Sequence, residues 1–204
     1  MKRLGTILAL LMALAHPAWA QADFDSQAKF AILMDHETGT VLYQKDADLP
    51  MEPASMAKLM TLAVVFNEIA NGRLALTDEL YVSENAWRTG GAASGGSTMF
   101  AELNSTIAVE DLVRSVIIQS GNDAAIVLAE GIAGTEATFA AMMNELALDI
   151  GLTDSHFTNA TGLPDPEMLV TARDLADLGR YLIRTYPQYY HYFSEPEMEW
   201  NGIN

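Results

Sequence analysis

Pro53-Ala54-Ser55-Met56-Ala57-Lys58-Leu59-Met60-Thr61-Leu62-Ala63-Val64-Val65-Phe66 is the stretch from which the rest of the chain can be read. From Met56 onward it is apolar almost all round, which predicts a buried helix running to about Ala70 and stopped at Asn71-Gly72. Within it, Ser55 and Lys58 stand three apart, so a helical turn sets a hydroxyl beside an amine on one face. Four such residues alone also suit a capping serine with an exposed lysine. At the head of a buried helix, however, the lysine is expected to be partly desolvated. Desolvation disfavours the ammonium, and the freed amine can take the serine proton. The helix N-terminus favours negative charge developing near Ser55.

A second constellation is Ser120-Gly121-Asn122. It lies between the apolar stretches Leu112 to Ile118 and Ala124 to Ala129, and reads as helix, tight turn, helix. Gly121 is expected to permit the turn, and Asn122 or Asp123 to cap the next helix. Read as ordinary turn chemistry, these residues need no further role. Read with Ser55 and Lys58, they carry a second hydroxyl and a carboxamide to the same place. Ser-x-x-Lys with Ser-Asp-Asn and Lys-Thr-Gly is the motif set of penicillin-interacting enzymes, and Ser-Gly-Asn is a close variant of its middle element.

With these motifs in order, the chain resembles the N-terminal part of the D-alanyl-D-alanine carboxypeptidases, the low-molecular-mass penicillin-binding proteins. Ile32-Leu33-Met34-Asp35, Gly39 to Tyr43, Pro53 to Thr61, Gln119 to Ala124, Gly151 to Phe157, Gly162-Leu163, Thr171 to Ala176 and Asn201-Gly202-Ile203 carry the likeness, which runs from about Ala28 to the last residue. The resemblance implies an α/β (α+β) fold with helices packed around an antiparallel sheet. It implies Ser55 as nucleophile, Lys58 as general base, Ser120 as a further catalytic group and Asn122 as a substrate-binding residue. The implied partners are a peptidoglycan pentapeptide and β-lactam inhibitors, with neither metal nor organic cofactor. The family's Lys-Thr-Gly strand is not in this sequence, because Lys58 is its last lysine. Only the N-terminal hairpin and the helical region of the fold are therefore expected, as an incomplete catalytic domain over residues 23–204 that is inactive by itself. Inner-membrane association would run through a C-terminal region outside this chain.

Residues 1–22 read as a secretory signal peptide. Lys2-Arg3 precedes a short apolar run, Ile7 to Ala15, and small-residue cleavage sites follow at Ala18-Trp19-Ala20 and Ala20-Gln21-Ala22. The run is too short to span a bilayer. A periplasmic location follows as an expectation. Setting these residues aside removes two positive charges and no acids, taking the formal net charge from −16 to −18. So acidic a protein is a poor partner for nucleic acid or anionic lipid. Its 204 residues suit one domain with a sizeable core, and the absence of cysteine excludes disulfides, thiolate metal sites and a cysteine nucleophile.

Along the chain, Lys29 to Met34 and Thr40 to Gln44 read as a β-hairpin turning at Asp35 to Gly39. The Gly/Ser-rich tract Thr89 to Thr98 is expected to be a mobile loop at the cleft rim. Helices are expected over Val109 to Gln119, Asn122 to Glu130, Thr138 to Asp149, and from Thr171, a capping-box variant, to Tyr186. That makes two clear strands and five or six helices, with no repeat and no domain boundary.

Other chemistry-bearing residues are expected to be structural. His16 leaves with the leader, His36 sits in the hairpin turn between Asp35 and Glu37, and His156 has no nucleophile-elbow motif to serve. Trp87 and Tyr189-Tyr190-His191-Tyr192-Phe193 suit packing. Glu167 lies where a related β-lactamase places the glutamate that activates its deacylating water. Val170-Thr171 stand where such an enzyme has Leu-Asn, which argues against efficient β-lactam turnover. The alternatives are a DD-endopeptidase or β-lactamase on the same scaffold, or a non-catalytic cell-wall-binding fragment.

Overall fold

The computed structural model describes residues 26–202. The expected leader, with His16, lies outside the described residues. Among the described residues are five α-helices: α1 (Lys58–Ala70), α2 (Val109–Ile118), α3 (Asn122–Ala133), α4 (Glu136–Asp149) and α5 (Ala172–Thr185). Two antiparallel strand pairs flank them: β1 (Ala31–Met34) with β2 (Val41–Lys45), and β3 (Glu79–Tyr81) with β4 (Thr106–Ala108).

The core is built on α1 and α3. Met60, Ala63, Val65 and Phe66 of α1 are fully or almost fully buried, and so is every residue from Ala124 to Ala129 in α3. The stretches 60–66 of α1 and 122–129 of α3 are enclosed on all sides, as their largely apolar composition requires. By contrast, α5 is amphipathic, burying Leu175, Leu178 and Leu182 while Arg173 turns outward to pair with Asp48. Half of the expected capping box forms: Thr171 Oγ1 accepts from Asp174 N–H at 3.1 Å, but the Asp174 carboxylate accepts from Asp154 N–H and Ser155 Oγ instead of reaching back to Thr171. The aromatic cluster packs only in part: Tyr189 stacks on Phe66 with ring centroids 4.6 Å apart and Tyr192 is buried, whereas Tyr190, His191, Phe193 and Trp87 are exposed.

The β1–β2 hairpin pairs Ile32 with Gln44 and Leu33 with Tyr43, and slips register after Leu33. Its turn closes through Gly39 at φ 75° and through Asp35 Oδ1, which accepts from Thr38 N–H. The second pair, β3–β4, adds to the two strands expected. Each of its strands is three residues long, too short for a period-two pattern to register in the sequence.

Two ties position the site. Met51 and Val170 exchange backbone hydrogen bonds of 2.8 and 2.9 Å, fastening the approach to Ser55 onto the segment ahead of α5. Gly121 N–H donates to Ser115 O at 3.2 Å, folding the α2–α3 connection back on α2.

Candidate active site

Ser55 lies on a 3₁₀ turn, Ala54–Ala57, that leads directly into α1. The sequence pointed to an α-helical turn. The 3₁₀ geometry brings positions i and i+3 closer to eclipse, and Lys58 Nζ lies 3.3 Å from Ser55 Oγ. The entry is strained: Ala54 sits at φ 48°, in the left-handed region where a β-carbon is unfavourable. Ser55 is exposed, whereas Lys58 is only 3% exposed.

Two further groups face the amine. Asn122 Oδ1 lies 2.7 Å from Lys58 Nζ, and Thr161 O lies 2.6 Å from it. Burial lowers the Lys58 pKa from the ordinary 10.5 to about 8. Both oxygens can only accept. In the neutral amine they hold its two N–H bonds, which leaves the lone pair for the third neighbour, Ser55 Oγ.

Ser120 and Asn122 meet the site in different ways. Asn122 opens α3 and bonds Lys58 directly. Ser120 shares a crevice with Ser55 and Lys58, yet its buried Oγ has no hydrogen-bond partner among the described residues. The left-handed residue of the turn is Ser120, at φ 56°, not Gly121, at φ −57°. Glycine is needed at 121 for space, because a β-carbon there would stand 2.4 Å from Ser115 Oγ. Neither Asn122 nor Asp123 caps α3 through its side chain in the expected way.

The segment Asn159–Leu163 closes the back of the site, a role the residue types did not announce. Asn159 Oδ1 accepts from Thr161 N–H, Thr161 Oγ1 and Gly162 N–H, a compact turn that aims the Thr161 carbonyl at Lys58. Thr61 Oγ1, one turn along α1, donates to Ala160 O at 2.7 Å. Gly162, at φ 79°, lies so near the strained turn that a β-carbon would meet Ala54 O at 1.8 Å.

A cavity of about 290 Å³ opens beside Ser55, with Gly96 and Ser97 on one side and Leu163, Asp165 and Met168 on the other. The Gly/Ser-rich tract does stand at the rim, tied to α3 by a 2.9 Å bond from Asn122 N–H to Ser97 O. Glu167 is exposed and does not line this cavity. The side chain of His156 is exposed, and its main chain exchanges bonds of 2.7 and 3.2 Å with that of Leu169.

Residues 16–204 match the family described as D-alanyl-D-alanine carboxypeptidase, peptidase S11. The chain is 42% identical over 177 residues to the D-alanyl-D-alanine carboxypeptidase DacC of Escherichia coli K12, covering 86% of this chain and 44% of that protein. Its fold superposes on the crystal structure of the carboxypeptidase DacD from Francisella tularensis with a TM-score of 0.83 at 37% identity, covering 89% of this chain and 43% of that one. For penicillin binding protein 5 from Haemophilus influenzae the TM-score is 0.84 at 37% identity, with 88% and 52% covered. The chain thus spans less than half the length of DacC.

Proposed function

The chain belongs to the D-alanyl-D-alanine carboxypeptidase family, and from that premise we propose that the intact protein removes the terminal D-alanine from peptidoglycan stem peptides through a serine acyl-enzyme. Ser55 Oγ attacks the carbonyl of the penultimate D-alanine as Lys58 takes its proton. The peptide bond then breaks. The leaving amine receives a proton from Lys58, relayed by Ser120, and departs as D-alanine. Water hydrolyses the ester, and Ser55 recovers its proton. Asn122 orients Lys58 and the substrate amide.

The observation that carries this reading is the set of neighbours around Lys58 Nζ: one nucleophile, Ser55 Oγ, and two oxygens that can only accept. A lysine with pKa about 8 is neutral in about a tenth of molecules at pH 7, some 300-fold more than at the ordinary value. Burial therefore makes a usable base of the amine without another catalytic residue.

A β-lactam presents a strained amide to the same serine, so penicillin is read as an acylating inhibitor. Glu167 stands away from the Ser55 cavity, which favours a carboxypeptidase over a β-lactamase that draws its water from that position. The reading includes export to the periplasm, supported by the basic, apolar and small-residue pattern of residues 1–22. It also includes inner-membrane association through a C-terminal region, supported by the family resemblance. The test is D-alanine release from a pentapeptide by the intact protein, with penicillin turnover measured alongside. Rapid turnover of penicillin without D-alanine release would replace this reading with the β-lactamase one.

A further inference from the structure

Asp123 follows Asn122 in the first turn of α3 and is completely buried, yet no reaction step uses it. Its carboxylate accepts four hydrogen bonds. Oδ1 receives Met99 N–H at 3.0 Å and Ala124 N–H at 2.9 Å. Oδ2 receives Thr98 Oγ1 at 2.6 Å and Ala101 N–H at 3.0 Å. No lysine or arginine of the described residues lies within ion-pair distance of it. The buried charge is carried by oriented N–H and O–H groups and by the N-terminal end of α3.

Three of those four donors belong to one strip of chain, residues 98–101. Immediately upstream, the same strip touches Asn122. Ser97 O accepts from Asn122 N–H at 2.9 Å, and Gly96 packs so closely that a β-carbon there would stand 2.8 Å from Asn122 Nδ2. One face of the first α3 turn therefore grips the strip through Asp123, while the strip backs the carboxamide that faces Lys58. We propose that Asp123 is a positioning residue, which pins the 96–101 strip against α3 and so holds Asn122 Oδ1 on Lys58. The catalytic consequence rests on the function proposed above. The positional claim does not.

The direction of the effect follows from the bond concerned. Asn122 Oδ1 stabilises the Lys58 ammonium, so loosening it lowers the midpoint of the Lys58 titration. The groups bonded to Lys58 Nζ, namely Ser55 Oγ, Asn122 Oδ1 and Thr161 O, are all neutral. The acids nearby are Glu52 and Asp165, which line the Ser55 cavity, Glu136, whose Oε1 accepts from Ala160 N–H at 3.2 Å next to Thr161, and Asp123 itself; none is within 4 Å of Nζ.

Two variants of the intact protein separate position from charge. Asp123→Asn keeps the shape but sets an amide N–H₂ against donors, and at least one of the four bonds is lost. Thr98→Val keeps the carboxylate and removes its bond from Thr98 Oγ1, together with the 3.1 Å bond that Thr98 Oγ1 accepts from Phe100 N–H within the strip. The readout is the Lys58 midpoint, followed by carbon-13 NMR of lysine labelled at Cε and assigned with Lys58→Arg, beside the rate of labelling by penicillin. Both variants are expected to lower the midpoint, Asp123→Asn by about half a unit or more and Thr98→Val by less. Labelling at pH 8 should fall about 10-fold in Asp123→Asn. If Asp123→Asn shifts the midpoint and Thr98→Val leaves it unchanged, the effect is one of charge and the proposal is overturned. It is equally overturned if neither shifts it. Should Asp123→Asn fail to fold, Thr98→Val alone decides by the same criterion. If the parent protein is not labelled by penicillin at all, the proposed function fails, while the midpoints still decide the role of Asp123.

Discussion

The carbonyl oxygen of Thr161 lies 2.6 Å from Lys58 Nζ, 103 positions away in sequence. It is held there by a turn wound on Asn159 Oδ1 and by the bond from Thr61 Oγ1 to the preceding carbonyl. A backbone oxygen cannot be removed by changing its own side chain, so its contribution must be probed through its neighbours.

Covalent labelling tests the nucleophile. Labelled penicillin should attach to the intact protein at Ser55, and Ser55→Ala should abolish labelling while leaving the fold intact, because Ser55 is exposed. Peptide mapping that placed the label on Ser120 would reassign the site.

The base has a pH signature. With the Lys58 pKa near 8, the rate of acylation should rise with pH through about 8. Lys58→Arg keeps the charge but cannot deprotonate in this range, so labelling should slow by about 100-fold or more and lose that limb. A near-normal rate in a folded Lys58→Arg protein would count against the assignment.

Stability should carry the same group with a definite sign. The folded pKa is depressed, so the unfolded chain binds the proton more tightly. Lys58 therefore penalises the folded state fully below pH 8, and the penalty is relieved as pH rises from about 8 to 10.5. Its full size is on the order of 3 kcal/mol. Lys58→Met should remove this rise, seen as the difference between the urea midpoints of the two proteins across pH 7 to 10.5. Parallel curves would refute it.

At Gly162 the prediction is steric. Gly162→Ala puts a β-carbon into the Ala54 carbonyl and asks alanine to hold a left-handed φ. A loss of about 1–3 kcal/mol in stability is expected, with slower labelling of Ser55 because the turn beneath it must shift. An unchanged melting temperature would contradict the close approach.

Much of this site was legible in the residues. Ser55, Lys58 and Asn122 stand in motifs whose order and spacing resemble those of the penicillin-interacting enzymes, and the largely apolar runs of α1 and α3 marked the helices that support them. What stayed hidden has no side-chain signature. The Thr161 carbonyl is a group that every residue owns. The left-handed conformation fell on Ser120, where the neighbouring glycine drew attention to itself for a different reason, its contact with Ser115. Asp123 could be read as a helix cap because its partners, Met99 and Ala101, are backbone groups more than twenty positions away. The strands β3 and β4 are too short for alternation to show.

Ser120 combines a left-handed φ of 56° with a buried hydroxyl that has no partner among the described residues. To anyone engineering this protein for heat tolerance, the position would rank high for repair. Ser120→Gly relieves the backbone and deletes the orphan oxygen, and a stability screen would select it. The proposed relay to the leaving amine would be lost in the same step. Selection on thermal tolerance alone would therefore enrich inactive variants here, and libraries aimed at robustness should hold Ser120 constant.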